Sequence, residues 1–132
     1  MTQNGGKEPT SLGITGLNHV NITVPPSVSV AAKDFYGLQL GLVEIPKPEQ
    51  SRTRGGAWYQ LDDNQIHLSL EDVKETKSKR HICLVVRDIF QAEQRLREAG
   101  VEILPDERPV SGWQRFYVRD PGGNLIEIAM KQ

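Results

Sequence analysis

Residues 41–46 read GLVEIP, and residues 100–105 read GVEILP. Each phrase follows a stretch of helical apolar spacing, and each leads into short alternating apolar runs. An internal repeat of this kind constrains the fold more than any single segment does, because both copies have to form the same unit. In the first copy, Val20, Ile22 and Val24 alternate along a strand that Pro25 and Pro26 end. Ser27 is placed to cap a helix carrying Val28, Ala31, Ala32, Phe35 and Leu38, which Gly37 and Gly41 close. Strands are expected at 42–45, 57–61 and 65–70, with a polar loop, KPEQSRTRGG, before the second and a tight Asp62-Asp63-Asn64 connection before the third.

The second copy begins at residue 81. Ile82, Leu84 and Val86 alternate, Asp88 is placed to cap a helix bearing Ile89, Ala92, Leu96 and Ala99, and Gly100 ends it. Strands are expected at 101–104, 115–119 and 125–130. The chain is thus expected to be an α+β protein of two tandem βαβββ modules, about 14–72 and about 80–130. They lie in a single domain over 14–132, behind a flexible tail at 1–13. A curled mixed sheet with the helices on its convex face follows from strand twist and from where the apolar rows must pack.

The repeat also aligns the polar residues that sit inside apolar strands. His19 in the first strand matches His81 in the fifth, 62 residues on, and His67 in the fourth matches Glu127 in the eighth, 60 residues on. All four are opposite in phase to the apolar rows of their strands, so they face away from the helices. Glu127 is the sharpest case. A carboxylate between Ile126 and Ile128 costs several kcal/mol if it is buried without a partner, so it calls for water, a counter-charge or a metal. Three imidazole nitrogens and one carboxylate oxygen suit Zn²⁺, Ni²⁺, Co²⁺, Fe²⁺ or Mn²⁺. His19, His67, His81 and Glu127 are the expected metal set. Asn21, Trp58, Gln60, Arg115 and Tyr117 share their phase and are expected to line the same face against substrate, with Arg115 suited to an anionic group.

Composition excludes several other readings. The net charge is −1, so no basic surface recommends a nucleic acid or an anionic membrane. The basic cluster KETKSKR at 74–80 has acidic neighbours and reads as a solvated linker. No apolar run reaches the roughly 20 residues of a membrane span. The single cysteine, Cys83, excludes an internal disulfide and fits a cytoplasmic protein, with the thiol expected to be buried and inert.

The segments GLNHVNITV, DFYGLQLGL, RHICLVV and RDPGGNLIEI together resemble the vicinal oxygen chelate superfamily, which includes glyoxalase I, fosfomycin-resistance thiol transferases, extradiol dioxygenases and bleomycin-resistance proteins. The resemblance runs from about residue 14 to 130. It implies one divalent metal per site, held at the positions of His19, His81 and Glu127, and a substrate chelated through two neighbouring oxygens. His67 stands where glyoxalase I enzymes carry a glutamate, and Tyr117 where the fosfomycin enzymes place a tyrosine against substrate. A homodimer is implied as well, in which modules of both chains often complete each site.

The implied function is a metal-dependent lyase, isomerase or thiol transferase acting on a small oxygen-chelating molecule, with Glu127 as ligand and base. If His67 is not a ligand, the other three form a two-His-one-carboxylate triad and His67 is free to act as the base. The same resemblance leaves open a small extradiol-type dioxygenase and a non-catalytic drug-binding resistance protein.

Overall fold

The computed structural model describes residues 11–74 and 78–132. The expected tail therefore lies outside the described residues except for 11–13, and so does the middle of the basic linker. The two modules appear as the repeat requires, each as a four-stranded sheet. The first comprises β1 (His19–Val24), β2 (Val43–Ile45), β3 (Ala57–Leu61) and β4 (Asn64–Leu70), in the order β1-β4-β3-β2. The second comprises β5 (His81–Val85), β6 (Leu104–Pro105), β7 (Trp113–Arg119) and β8 (Leu125–Lys131), in the order β5-β8-β7-β6. In both modules the outer pair is parallel, β1 with β4 and β5 with β8, and the remaining pairs are antiparallel.

The helices differ in how they are made. α2 (Ile89–Glu98) starts as expected, with the Asp88 carboxylate accepting from the amides of Phe90 and Gln91 at 3.1 Å each. That bond satisfies amides that lack an intrahelical partner. α1 (Ser29–Asp34) does not use Ser27 as its cap. The chain turns through a 3-10 segment, Pro26–Val28, after Pro25, and no side chain caps α1. Proline supplies the helical φ at the first position without needing a donor there. Gly37 does not end this helix. α1 widens into a π-helical turn, Phe35–Gln39, and the chain leaves it at Gly41 with φ 76°.

One strand and one loop also differ from expectation. The strand expected at 101–104 is reduced to Leu104–Pro105, and the polar loop before β3 contains a 3-10 segment, Glu49–Arg54.

The inward rows of both sheets and one face of each helix form one core. Val24, Ala32, Phe35, Tyr36, Tyr59, Ile66 and Leu68 of the first module join Ile89, Leu96, Phe116, Val118, Ile126 and Ile128 of the second. Burial of these side chains removes apolar surface from water, which supplies most of the drive to fold. Polar bonds add register between the modules. The Tyr36 hydroxyl donates to Asp120 Oδ2 at 2.6 Å, and the Asn124 side-chain amide donates to the Thr23 carbonyl at 2.9 Å. Among the described residues no helix is long and apolar enough to cross a membrane.

Candidate functional site

The outward rows carry the polar residues that the repeat aligned. In the parallel pair β1–β4, His19 is opposite Gln65 and His67 is opposite Asn21. In β5–β8, His81 is opposite Leu125 and Glu127 is opposite Cys83. The second donor of each pair therefore lies two residues beyond the partner of the first, in both modules. Two pairs of like geometry result, one on each sheet.

Among the described residues, no three or more His, Cys, Asp or Glu side chains converge as a metal requires. The four expected ligands thus stand as a His19–His67 pair and a His81–Glu127 pair, rather than as one set within the chain. The edge strands β1 and β5 flank a common groove lined by Val20–Thr23 and Arg80–Ile82. Each strand keeps its own sheet partner.

In the first module, His67 is the middle ring of three. It stacks on His19 with centroids 4.0 Å apart and on Trp58 at 3.7 Å, the second contact within 4° of parallel. Trp58 and His67 are register partners across β3 and β4, which brings their rings face to face. His67 is 7% exposed. Burial, and then the nearby His19, hold its imidazole below the usual histidine value, so its neutral form is favoured. A metal binds in the plane of an imidazole ring at about 2.0–2.1 Å. Two stacked, nearly parallel rings do not aim their lone pairs at one ion, so this arrangement separates the roles of His19 and His67.

In the second module, Glu127 is 7% exposed and fully paired. His81 Nε2 lies 2.9 Å from Oε1, and Arg115 Nη1 donates to Oε2 at 3.3 Å. Arg115 supplies the counter-charge that a carboxylate in an apolar strand needs. Arg115 is itself clamped. Its Nε and Nη2 donate to the two Asp106 oxygens at 2.9 and 3.0 Å, and Nη2 also donates to the Arg108 carbonyl at 2.7 Å. That bidentate contact holds the Asp106 carboxyl below its ordinary value and raises the guanidinium of Arg115. Tyr117 meets His81 edge-on at 5.7 Å, and burial, then Glu127, push its hydroxyl up. Cys83 is exposed, not buried as expected from its residue type. Desolvation and the adjacent Glu127 raise its thiol to about 11.

Tautomer wiring fits a cation. His81 Nδ1 lies 3.0 Å from the Lys79 carbonyl, which can only accept, so Nδ1 carries a proton. His19 is wired alike, with Nδ1 at 2.8 Å from Asn18 Oδ1. Both ring nitrogens of His81 therefore lie on oxygens. That suits either an imidazolium or a cation standing in place of the Nε2 proton. His67 is wired the other way round, with Nε2 at 2.8 Å from Gln65 Oε1 and Nδ1 left over.

The remaining expected residues divide. Trp58 and Tyr117 flank the two donor pairs. Asn21 accepts from the Ser69 hydroxyl at 2.6 Å beside His67. Gln60 does not face the donors: its amide nitrogen is spent on the Asp62 and Asn64 carbonyls of the β3–β4 turn. Arg115 is not free to hold a substrate anion, because its charge is shared between Asp106 and Glu127. Sequence reading missed Asp106, Asn18, Gln65 and the Lys79 carbonyl. Only Asn18, directly before His19, left a local signal.

Known proteins carry the same architecture. The chain is 35% identical to a glyoxalase family protein from Bacillus anthracis of known structure, over 93% of this chain and 100% of that one, with a TM-score of 0.83. Over 90% of this chain and 93% of that one it superposes on the fosfomycin resistance protein FosX from Listeria monocytogenes, at 20% identity and a TM-score of 0.76. It is also 28% identical to an ethylmalonyl-CoA/methylmalonyl-CoA epimerase from Cereibacter sphaeroides, over 85% of this chain and 95% of that protein. With residues 16–128 matching the family model, the chain belongs to the Glyoxalase/Bleomycin resistance protein/Dioxygenase superfamily.

Proposed function

We propose that this chain is a divalent-metal-dependent enzyme of the glyoxalase type, acting on a small molecule that presents two neighbouring oxygens. One centre would be completed by two protomers, with His19 of one and His81 and Glu127 of its partner as ligands. The observation that carries this reading is the equal offset of the donor pairs on β1–β4 and β5–β8, which puts one pair of candidate ligands on each sheet. A partner chain is also favoured by the apolar side chains that lead into β1, since Leu12, Ile14 and Leu17 are 89%, 81% and 63% exposed.

Two imidazoles and a carboxylate suit Fe²⁺, Mn²⁺, Zn²⁺, Co²⁺ or Ni²⁺. When bound, the ion supplies Lewis acidity that stabilises negative charge growing on a substrate oxygen. The chain's own residues do the rest. Nδ1 of His19 and of His81 lies on a neighbouring oxygen, which would leave Nε2 of each for the ion. Arg115 fixes Glu127 and limits its motion. His67, favoured as the neutral imidazole with Nδ1 unused, would take a proton from carbon beside the chelated oxygens. Glu127, arriving as the carboxylic acid, would deliver a proton to the other side and be left as the carboxylate, while His67 keeps the proton it took. Proton transfer of this kind is in keeping with an epimerase among the relatives, and it makes isomerase or lyase chemistry the best-supported class.

The test is elemental analysis of the purified protein and two variants. About one equivalent of metal per protomer, lost in Glu127→Ala and kept in His67→Ala, is the expected result. Loss in His67→Ala would make His67 a fourth ligand. No uptake of any of the five ions by the unaltered protein would overturn the reading.

A further inference from the structure

The first module has a cavity of about 330 Å³ beside His67, roofed by the connection from β2 to β3 and lined by Lys47, Ser51, Arg54, Trp58, His67 and Ser69 among others. Two of its lining side chains are cationic and none is acidic. None of the ion pairs among the described residues engages Lys47 or Arg54.

The roof is built rather than draped. Lys47 Nζ donates to the Gly55 carbonyl, and Arg52 Nε donates back to the Lys47 carbonyl at 3.2 Å. Gly55 and Gly56 both take positive φ, and a Cβ on Gly56 would stand 2.0 Å from the Leu68 carbonyl oxygen. The loop is therefore pressed onto β4 at one place, which fixes the Lys47 ammonium at the cavity wall with two N–H groups to spare.

Two other cationic groups beside the donor pairs are committed elsewhere. Arg115 is shared between two carboxylates. The cavity beside His81 balances Lys79 and Arg108 against Asp106 and Glu107.

We propose that Lys47 and Arg54 form the receptor for an oxyanion of the substrate, a carboxylate, phosphate or phosphonate, while the edge of Trp58 contacts the adjoining carbon skeleton. The substrate is then an organic oxyanion whose reacting carbon lies next to His67. The inference rests on the preceding reading only for that last placement. Binding of the oxyanion itself needs no metal.

The test is done on metal-stripped protein. Trp58 is made the sole tryptophan by Trp113→Phe, and its fluorescence is followed on titration with phenylphosphonate, benzoate and neutral benzamide. Calorimetry on the unaltered chain serves as a second readout. Both oxyanions should bind, with benzamide weaker by about tenfold or more, as expected for losing a charge-assisted contact. Lys47→Gln together with Arg54→Gln should lower oxyanion affinity by about tenfold or more, leave benzamide unchanged, and match no effect from Lys33→Gln. Lys47→Gln alone could loosen the loop, so Arg54→Gln, which breaks no hydrogen bond of the structure, must also lose affinity. Equal binding of benzoate and benzamide, or an unaltered affinity in Arg54→Gln, overturns the proposal. A protein that takes up no metal yet keeps its preference for oxyanions would overturn the metal reading alone. One that binds metal without that preference would overturn this inference alone.

Discussion

The hydroxyl of Tyr36 donates to Asp120 Oδ2 at 2.6 Å, across 84 residues and from one module to the other. Asp120 is 4% exposed, and its Oδ1 accepts from the amides of Gly122 and Asn124 at 2.9 Å each. One carboxylate thus shapes the turn that starts β8 and ties that turn to the π-helical turn after α1.

Tyr36→Phe removes this donor and leaves a buried carboxylate one partner short. The expected cost is about 2 kcal/mol, as for a buried bond to a charged group, read as a lower urea midpoint with an unchanged slope. Alkali should act on the same bond. Burial and then Asp120 raise the Tyr36 hydroxyl far above the phenol range, and burial raises that of Tyr59 to about 12. Both tyrosines lose a proton more easily unfolded than folded. Their contribution is whole below pH about 10, the unfolded value, and declines as pH rises beyond it. Unfolding midpoints should fall above that pH, less steeply in Tyr36→Phe.

Gly56→Ala should cost at least about 2 kcal/mol, because it adds backbone strain to a collision with Leu68. Gly100 supplies the control. Its φ is also positive, at 82°, but nothing lies within 4 Å of the place a Cβ would take. Gly100→Ala should therefore cost only about 1 kcal/mol, the strain alone. Denaturation of the two variants in parallel separates collision from strain.

Acid should expose the clamp on Arg115. Asp106 ionises more readily folded than unfolded. It therefore adds stability above the unfolded carboxylate value of about 4, and that addition is lost as pH falls through its lower folded value. The gap in urea midpoint between the unaltered protein and Asp106→Asn should be widest near neutrality and close as the pH falls below about 4.

Shared centres make a separate prediction. His19→Ala and Glu127→Ala should each lack metal. Mixed, unfolded and refolded together, they should regain about one quarter of an equivalent per protomer, because half of random dimers then hold one intact site. Sites contained within a chain would regain nothing.

Much of this was legible in the sequence because period and repeat are local properties. The alternation in β1, β4, β5 and β8 gave both the strands and the outward phase of His19, His67, His81 and Glu127. What alternation does not carry is the meeting of the sheets. Outward phase is equally compatible with four donors around one point and with two separate pairs. The partners of Arg115 were hidden for a related reason. Asp106 sits in an irregular stretch after a strand only two residues long, where no periodicity marks which side chain turns inward. Ser27 misled because a serine before an apolar helical run is a common cap, whereas Pro25-Pro26 preset the turn without one. Exposure of Cys83 follows from its phase opposite Ile82 and Leu84, a stronger guide than the average habit of cysteine.

The equal offset of the two donor pairs separates what a donor is from where it stands. Position 67 answers to position 127 in backbone terms, so a carboxylate at 67 would face outward from β4 as Glu127 does from β8, with strand pairing and core untouched. A scaffold of this kind can pass between one carboxylate and two, or between imidazole and carboxylate as the acid–base group, through a single codon. Diversity of reaction in such a lineage then needs no new fold, only different letters at a few outward positions.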